Sequence, residues 1–209
     1  MAAAPRGATN LNYEAEESSI ISATKNLGLE MVVEESGELD LLAACVAREK
    51  PDVVQISCHG LLEPYPSLLL EDATGDAAFA ESSSLASELA STPSRLLFLS
   101  ACESAQSGPV LDSLARSLVT AGMPAVLGWA GPVLDNEASL FATHLYRRLT
   151  EGEHLASALA SARCDLNESL QSVGGAENWH LVRLYLNSTG GGALATAGGL
   201  AASIAGVER

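Results

Sequence analysis

A histidine and a cysteine stand close behind two short apolar segments of the sequence. His59 follows the segment DVVQIS after one intervening residue, Cys58, and Cys102 follows RLLFLS after Ala101. A cysteine nucleophile needs a thiolate, a base within reach of the thiol and N–H donors for the oxyanion. We therefore take His59 as the candidate base and Cys102 as the candidate nucleophile.

Two neighbouring residues complete the candidate site. Gly60 follows the histidine and, without a Cβ atom, allows a substrate to approach the backbone closely. The backbone N–H groups of Gly60 and Cys102 are the candidate oxyanion hole. Cys58 is the alternative nucleophile, but neighbouring side chains on an extended chain point to opposite faces. The sequence therefore favours Cys102 over Cys58 as the partner of His59.

The pattern of apolar residues predicts elements that bring these side chains together. Strands alternate with helices, which is typical of an α/β fold with a mainly parallel sheet. In such sheets, ligands bind beyond the carboxyl ends of the strands, where His59 and Cys102 fall. The predicted strands span residues 29–33, 52–57, 67–71, 95–100, 124–129 and 179–186. Helices are predicted at 14–27 and 85–90, and another is predicted to begin after Ser36 as its N-cap. Three more are predicted from apolar residues at helical spacing within 111–119, 138–149 and 155–166.

Length and composition suit one soluble domain. The chain has 209 residues, of which 47% are hydrophobic, enough for a sizeable core. We expect one domain over residues 1–187, and a tail or linker rich in Gly and Ala over 188–209. No apolar run is long enough to cross a membrane and the first residues do not resemble a secretion signal, so we expect a cytoplasmic protein. A formal net charge of −15 argues against nucleic acid as a partner.

Cofactor sites are not indicated by the sequence. The four cysteines form no C-x-x-C pair, so a zinc cluster is not expected, and we predict no cofactor. Residues 190–195 (GGGALA) match the G-x-G-x-x-A pattern of a nucleotide-binding loop. They lie near the chain end without a second strand, and that function is disfavoured.

The motifs also resemble a known family. The matching segments are PDVVQISCHG, RLLFLSACES, LARSLVTAGMPAVLG, PVLDNEASLFATHLYRRL and WHLVRLYL. Across about residues 5–186 the chain resembles the CHAT domain, a caspase-like cysteine peptidase module. The resemblance implies a caspase-hemoglobinase-like three-layer sandwich and thiol protease activity on protein or peptide substrates. It also implies His59 as the base and Cys102 as the nucleophile.

The resemblance extends to specificity and regulation. Residues 128–135 match a G-x-x-x-x-V-x-D stretch after which arginine-cleaving relatives place acidic residues, so Asp135 and Glu137 are candidate substrate-binding residues for Arg or Lys before the cut. The alternative is structural, with Asp135 as a helix N-cap and Glu137 as a first-turn acid. Relatives often occur beside tetratricopeptide repeats, which implies control by a repeat domain or partner protein.

A second hypothesis for the whole chain is a catalytically inactive caspase-like scaffold or signalling module. His59, Gly60 and Cys102 argue against it, although a retained motif does not prove turnover. Loops around the site are the segments that a partner would order, and the sequence suggests residues 61–67, 72–84 and 103–110 for them.

Overall fold

A computed structural model describes residues 1–8, 13–25, 29–61, 65–89, 92, 94–101, 107–171 and 178–194. The strands are β1 (Val53–Leu61), β2 (Ser67–Glu71), β3 (Ala77–Glu81), β4 (Leu96–Ala101), β5 (Ala125–Trp129) and β6 (Val182–Leu186). The helices are α1 (Tyr13–Thr24), α2 (Leu39–Glu49), α3 (Ser82–Leu89), α4 (Ser107–Ala121), α5 (Asp135–Thr150) and α6 (Leu155–Leu170). A short 3₁₀ turn, Trp179–Leu181, leads into β6.

The six strands form one sheet in the order β3-β2-β1-β4-β5-β6. The central strands β1, β4 and β5 are parallel, whereas β2, β3 and β6 join antiparallel. The predicted α/β class is confirmed, with the parallel part confined to the centre of the sheet. The parallel strands need crossover connections, which the helices between them supply.

Helices cover both faces of the sheet and make three layers. One face packs against α2, α3 and α4; we call its buried residues the first cluster. The other packs against α1, α5 and α6 around the second cluster. Strand residues alternate between the two, so Ile56 of β1 and Leu99 of β4 enter the first cluster, and Phe98 enters the second. None of the described helices has both the length and the apolarity needed to cross a membrane.

The first residues of the chain lie beside β1. Ala2 forms a parallel bridge with Ser57, and the Ala3 N–H donates to the Ser57 carbonyl at 2.9 Å. The Ala4 N–H donates to a carboxylate oxygen of Glu71 at 2.8 Å. This short segment therefore ties the first half of β1 to the end of β2.

One predicted strand and one predicted helix cap are wrong, and one strand was missed. Residues 29–33 form no strand, and Ser36 does not cap a helix; its hydroxyl accepts from the Glu38 N–H, while α2 begins at Leu39. Within 72–84, which the sequence suggested as a loop, β3 pairs with β2 and α3 follows.

The segment after β6 packs back onto the domain as far as it is described. Ala193 forms a bridge with His154, and the Arg95 guanidinium donates to the Ala193 carbonyl at 2.6 Å. Residues 195–209 lie outside the described part of the chain. The domain boundary at 187 stays a prediction.

A charged network joins α5 to α6 behind the second cluster. Arg148 donates to both carboxylate oxygens of Asp165 at 2.9 Å, and Arg147 donates to one of them at 3.2 Å. Arg147 also donates to Nδ1 of the buried His144 at 2.8 Å, and the other ring nitrogen lies 3.2 Å from the Ser169 hydroxyl. Burial lowers the pKa of His144, with a further contribution from the charge of Arg147.

We predict that this arrangement weakens the fold in acid. Because the folded pKa of His144 lies below its ordinary value of 6.5, the unfolded chain binds the proton more readily. The stability it confers is full above pH 6.5 and is lost as the pH falls from there toward the folded pKa. Denaturant unfolding of wild type, His144→Asn and His180→Asn between pH 7.5 and 5 measures how the free energy of unfolding falls with pH. This fall should be smaller in His144→Asn than in the other two proteins. The same pH dependence in all three would contradict the assignment.

Candidate functional site

The carboxyl ends of β1, β4 and β5 meet at one edge of the sheet, because these three strands are parallel. The VVQIS and LLFLS segments form strands because apolar side chains project from both faces of the sheet and pack against a layer of helices on each side. The candidate residues fall at or after the ends of these strands. His59 and Gly60 therefore lie at this edge of the sheet, and Asp135 and Glu137 follow the end of β5.

His59 lies two residues before the end of β1 and is half-buried. Its register partner on β2 is Leu69. Strand alternation puts its side chain on the face of Val53, which packs on the second cluster, and not on the face of Cys58. The imidazole thus stands where the helical cover of that face gives way to the carboxyl edge.

Cys58 is fully buried in the first cluster, on the opposite face of β1 from His59. Burial raises the pKa of its thiol to about 12. A thiol with this pKa carries almost no thiolate at neutral pH, and the strand separates it from the imidazole. Its environment is that of a small core residue.

The residues that directly precede His59 and Cys102 in the sequence are register partners on β1 and β4. Cys58 pairs with Ala101, the last residue of β4. His59 follows Cys58 in the sequence, and Cys102 follows Ala101. Cys102 itself lies outside the described residues, so its pairing with His59 stays a prediction.

Gly60 is buried in β1 opposite Leu68. Sequence reasoning overlooked a pair of serines behind the site: Ser57 and Ser100 are register partners and both are buried. Each stands two residues before a candidate catalytic residue, in the repeated patterns Ser-x-His and Ser-x-Cys. A serine two residues before each candidate residue was the signal that could have found them.

The two acidic candidates follow β5. Helix α5 begins at Asp135, and Leu134 occupies the N-cap position, so Asp135 is not the cap residue. Glu137 lies in the first turn and is only 4% exposed. Its Oε2 atom and the indole N–H of Trp129, the last residue of β5, are buried without a hydrogen-bond partner in the described part of the chain. A buried carboxylate oxygen that accepts no hydrogen bond lowers the stability of the fold unless a ligand donates one to it.

Within the described ranges no three His, Cys, Asp or Glu side chains are arranged to hold a metal ion. Cys45, Cys58 and Cys164 are free thiols.

The fold, an α/β sandwich with a mixed six-stranded sheet between two helical layers, is consistent with that of caspase-like peptidases. A family model described as the CHAT domain matches residues 2–182. The chain belongs to the CHAT domain family, which is part of the caspase-like cysteine peptidase clan. None of the curated proteins compared with it gives a significant match.

We predict that Cys58 is chemically inert in the folded protein. With a pKa of about 12, its thiolate fraction at pH 8 is on the order of one in ten thousand, and burial excludes the reagent. Iodoacetamide should modify the exposed Cys164 in native protein and reach Cys58 only after denaturant is added. Peptide mass spectrometry measures both sites in one sample. Native labelling of Cys58 at the rate of Cys164 would contradict its placement.

Proposed function

We propose that the chain is a cysteine endopeptidase that cleaves protein substrates with Cys102 as nucleophile and His59 as base. One observation carries the proposal: Cys58 and Ala101 are register partners on adjacent parallel strands, and His59 and Cys102 are the residues that follow them in the sequence. The burial of Cys58 on the other face supports it, because the competing thiol is removed from the edge. Membership of a cysteine peptidase clan points the same way.

In the proposed mechanism, His59 accepts the thiol proton and the Cys102 thiolate attacks the carbonyl carbon before the scissile bond. The backbone N–H groups of Gly60 and Cys102 donate to the oxyanion. His59 then protonates the departing amine, leaving a thioester. Water, activated by the same imidazole, hydrolyses the thioester and restores the thiol.

The proposed specificity is for Arg or Lys before the cut. Glu137 supports it, because the carboxylate is buried after β5 and one oxygen has no partner among the described residues. A guanidinium or ammonium group from the substrate would pair this charge. Asp135 is the second candidate, since it begins the same helix.

We also propose control by a repeat domain or partner protein, as the family resemblance implies. The proposed compartment is the cytoplasm. Three free cysteines among the described residues fit a reducing environment, where disulfides seldom persist.

For the catalytic pair, we predict that Cys102→Ala and His59→Ala each lower kcat by about a thousandfold or more. The Michaelis constant should change little, because neither group is proposed to hold the substrate. Hydrolysis of a quenched fluorescent peptide library measures the effect, and thermal unfolding confirms that the variants fold.

Cys58→Ala and Cys164→Ala are the matched controls and should retain activity. An inactive Cys58→Ala beside an active Cys102→Ala would contradict the assignment. Folded wild type that cleaves no peptide would instead favour the inactive scaffold.

For specificity, we predict that Glu137→Gln lowers kcat/KM for peptides with Arg before the cut by about 30- to several-thousand-fold. This range corresponds to about 2–5 kcal/mol for leaving one partner of a desolvated charge pair unmatched. Peptides with Gln or Leu at that place should be affected far less. The free energy of unfolding should not fall, because one oxygen of this buried carboxylate accepts no hydrogen bond from the described residues.

Asp135→Asn is the parallel variant that tests the second candidate. If only Asp135→Asn loses the preference, the pocket acid is Asp135. Wild-type preference for Asp or an apolar residue before the cut would refute the basic specificity. Reduced stability of Glu137→Gln with unchanged preference would instead mean that Glu137 serves the helix dipole.

A further inference from the structure

The candidate base stands at one end of a row of side chains that crosses three strands. His59 on β1 is the register partner of Leu69 on β2, and Leu69 is the partner of Phe79 on β3. Register partners on neighbouring strands project to the same face of a sheet. The row therefore leads from His59 over two apolar side chains to the outer strand of the sheet.

The two faces of the β2–β3 hairpin differ sharply in burial. Leu68, Leu70 and Ala80 are buried in the first cluster. On the His59 face, Leu69 is half-buried and Phe79 is 60% exposed. An exposed apolar patch continuous with a site marks a binding surface more strongly than a scattered apolar residue does.

A second exposed aromatic side chain lies near the same end of the sheet. Tyr65, shortly before β2, is 64% exposed. Phe79 and Tyr65 are the most exposed aromatic side chains in the described part of a chain with only 4% aromatic residues.

The hairpin that carries Phe79 is held in place. Asp72 accepts from the N–H groups of Thr74 and Asp76 at 2.8 and 3.0 Å, which closes the β2–β3 turn. The Arg6 N–H donates to the Gly75 carbonyl at 3.0 Å. A surface that is already ordered loses little conformational entropy when a ligand binds.

The chemistry of the proposed reaction decides which part of a substrate meets this row. His59 would protonate the departing amine, so the segment after the cut must lie on the His59 side of Cys102. Glu137 follows β5, on the other side of β4, and would take the residue before the cut. The strand order therefore sends the segment after the cut toward β2 and β3.

We infer that Leu69 and Phe79 form an apolar subsite for a substrate side chain about three residues after the cut; this rests on the proposed function. Neighbouring strands lie about 4.8 Å apart, so Phe79 stands roughly 10 Å from His59 across the sheet. An extended peptide covers this distance in about three residues, at roughly 3.3 Å each. The subsite selects an apolar residue there, Leu, Ile or Phe, over Gly or Ser.

The test compares two substrates of the full chain. One is a quenched fluorescent peptide that extends four residues past the cut, with Leu or Ser at the third. The other carries an aminocoumarin directly after the cut and so lacks that segment. Phe79→Ser should lower kcat/KM for the Leu peptide by about 5- to 30-fold and abolish the preference for Leu over Ser. Hydrolysis of the aminocoumarin substrate should not change.

Leu41→Ser, at an exposed leucine on α2 in the opposite layer, is the matched control and should alter neither substrate. Equal kcat/KM of wild type and Phe79→Ser on the Leu peptide overturns the subsite and leaves the peptidase intact. An equal loss on both substrates also overturns it, because the residue would then act through the fold. If wild type cleaves neither substrate, the proposed function fails and the subsite with it.

Discussion

The parallel pairing of β1 with β4 is the interaction on which the candidate site depends. Its register, from Val53 opposite Leu96 to Cys58 opposite Ala101, sends alternate side chains into two separate apolar clusters. A slip of one residue would exchange the faces, pushing His59 into the first cluster. Each large apolar side chain buried in the correct register contributes about 1.5–3 kcal/mol, so the register that fills the core is also the one that leaves the imidazole at the edge.

Much of the fold was predictable where burial alone decides the structure. Strands β1, β4 and β5 are runs of apolar residues, and α5 and α6 have apolar side chains at helical spacing. Prediction failed where a segment becomes a strand only if a neighbouring strand pairs with it. The sequence AAFAE has weak strand propensity and becomes β3 because β2 offers it an edge. Residues 29–33 contain two valines but pair with no strand, and Met31 and Val32 stay about 40% exposed.

In the candidate site, too, some features could be predicted from the sequence and others depend on packing. Strand alternation in the sequence already separated Cys58 from His59, because adjacent side chains on an extended chain diverge. The burial of Glu137, with no hydrogen-bond partner for Oε2 among the described residues, could not be predicted from its place in a helical pattern, because it depends on how α5 packs at its first turn. The row from His59 to Phe79 depends on the registers of β1 with β2 and of β2 with β3, and the second could have been predicted only by recognising the turn at residues 72–76.

The central claim is that Cys102 is the reactive nucleophile and that His59 activates it. Peptidyl acyloxymethyl ketones with Arg, Asp or Leu next to the reactive group form a stable thioether with an activated cysteine, so mass mapping of the labelled protein reports the nucleophile directly. The account predicts one adduct, on Cys102, whose formation slows by orders of magnitude in His59→Ala. An adduct on Cys58, or labelling of Cys102 at the same rate with and without His59, would contradict it.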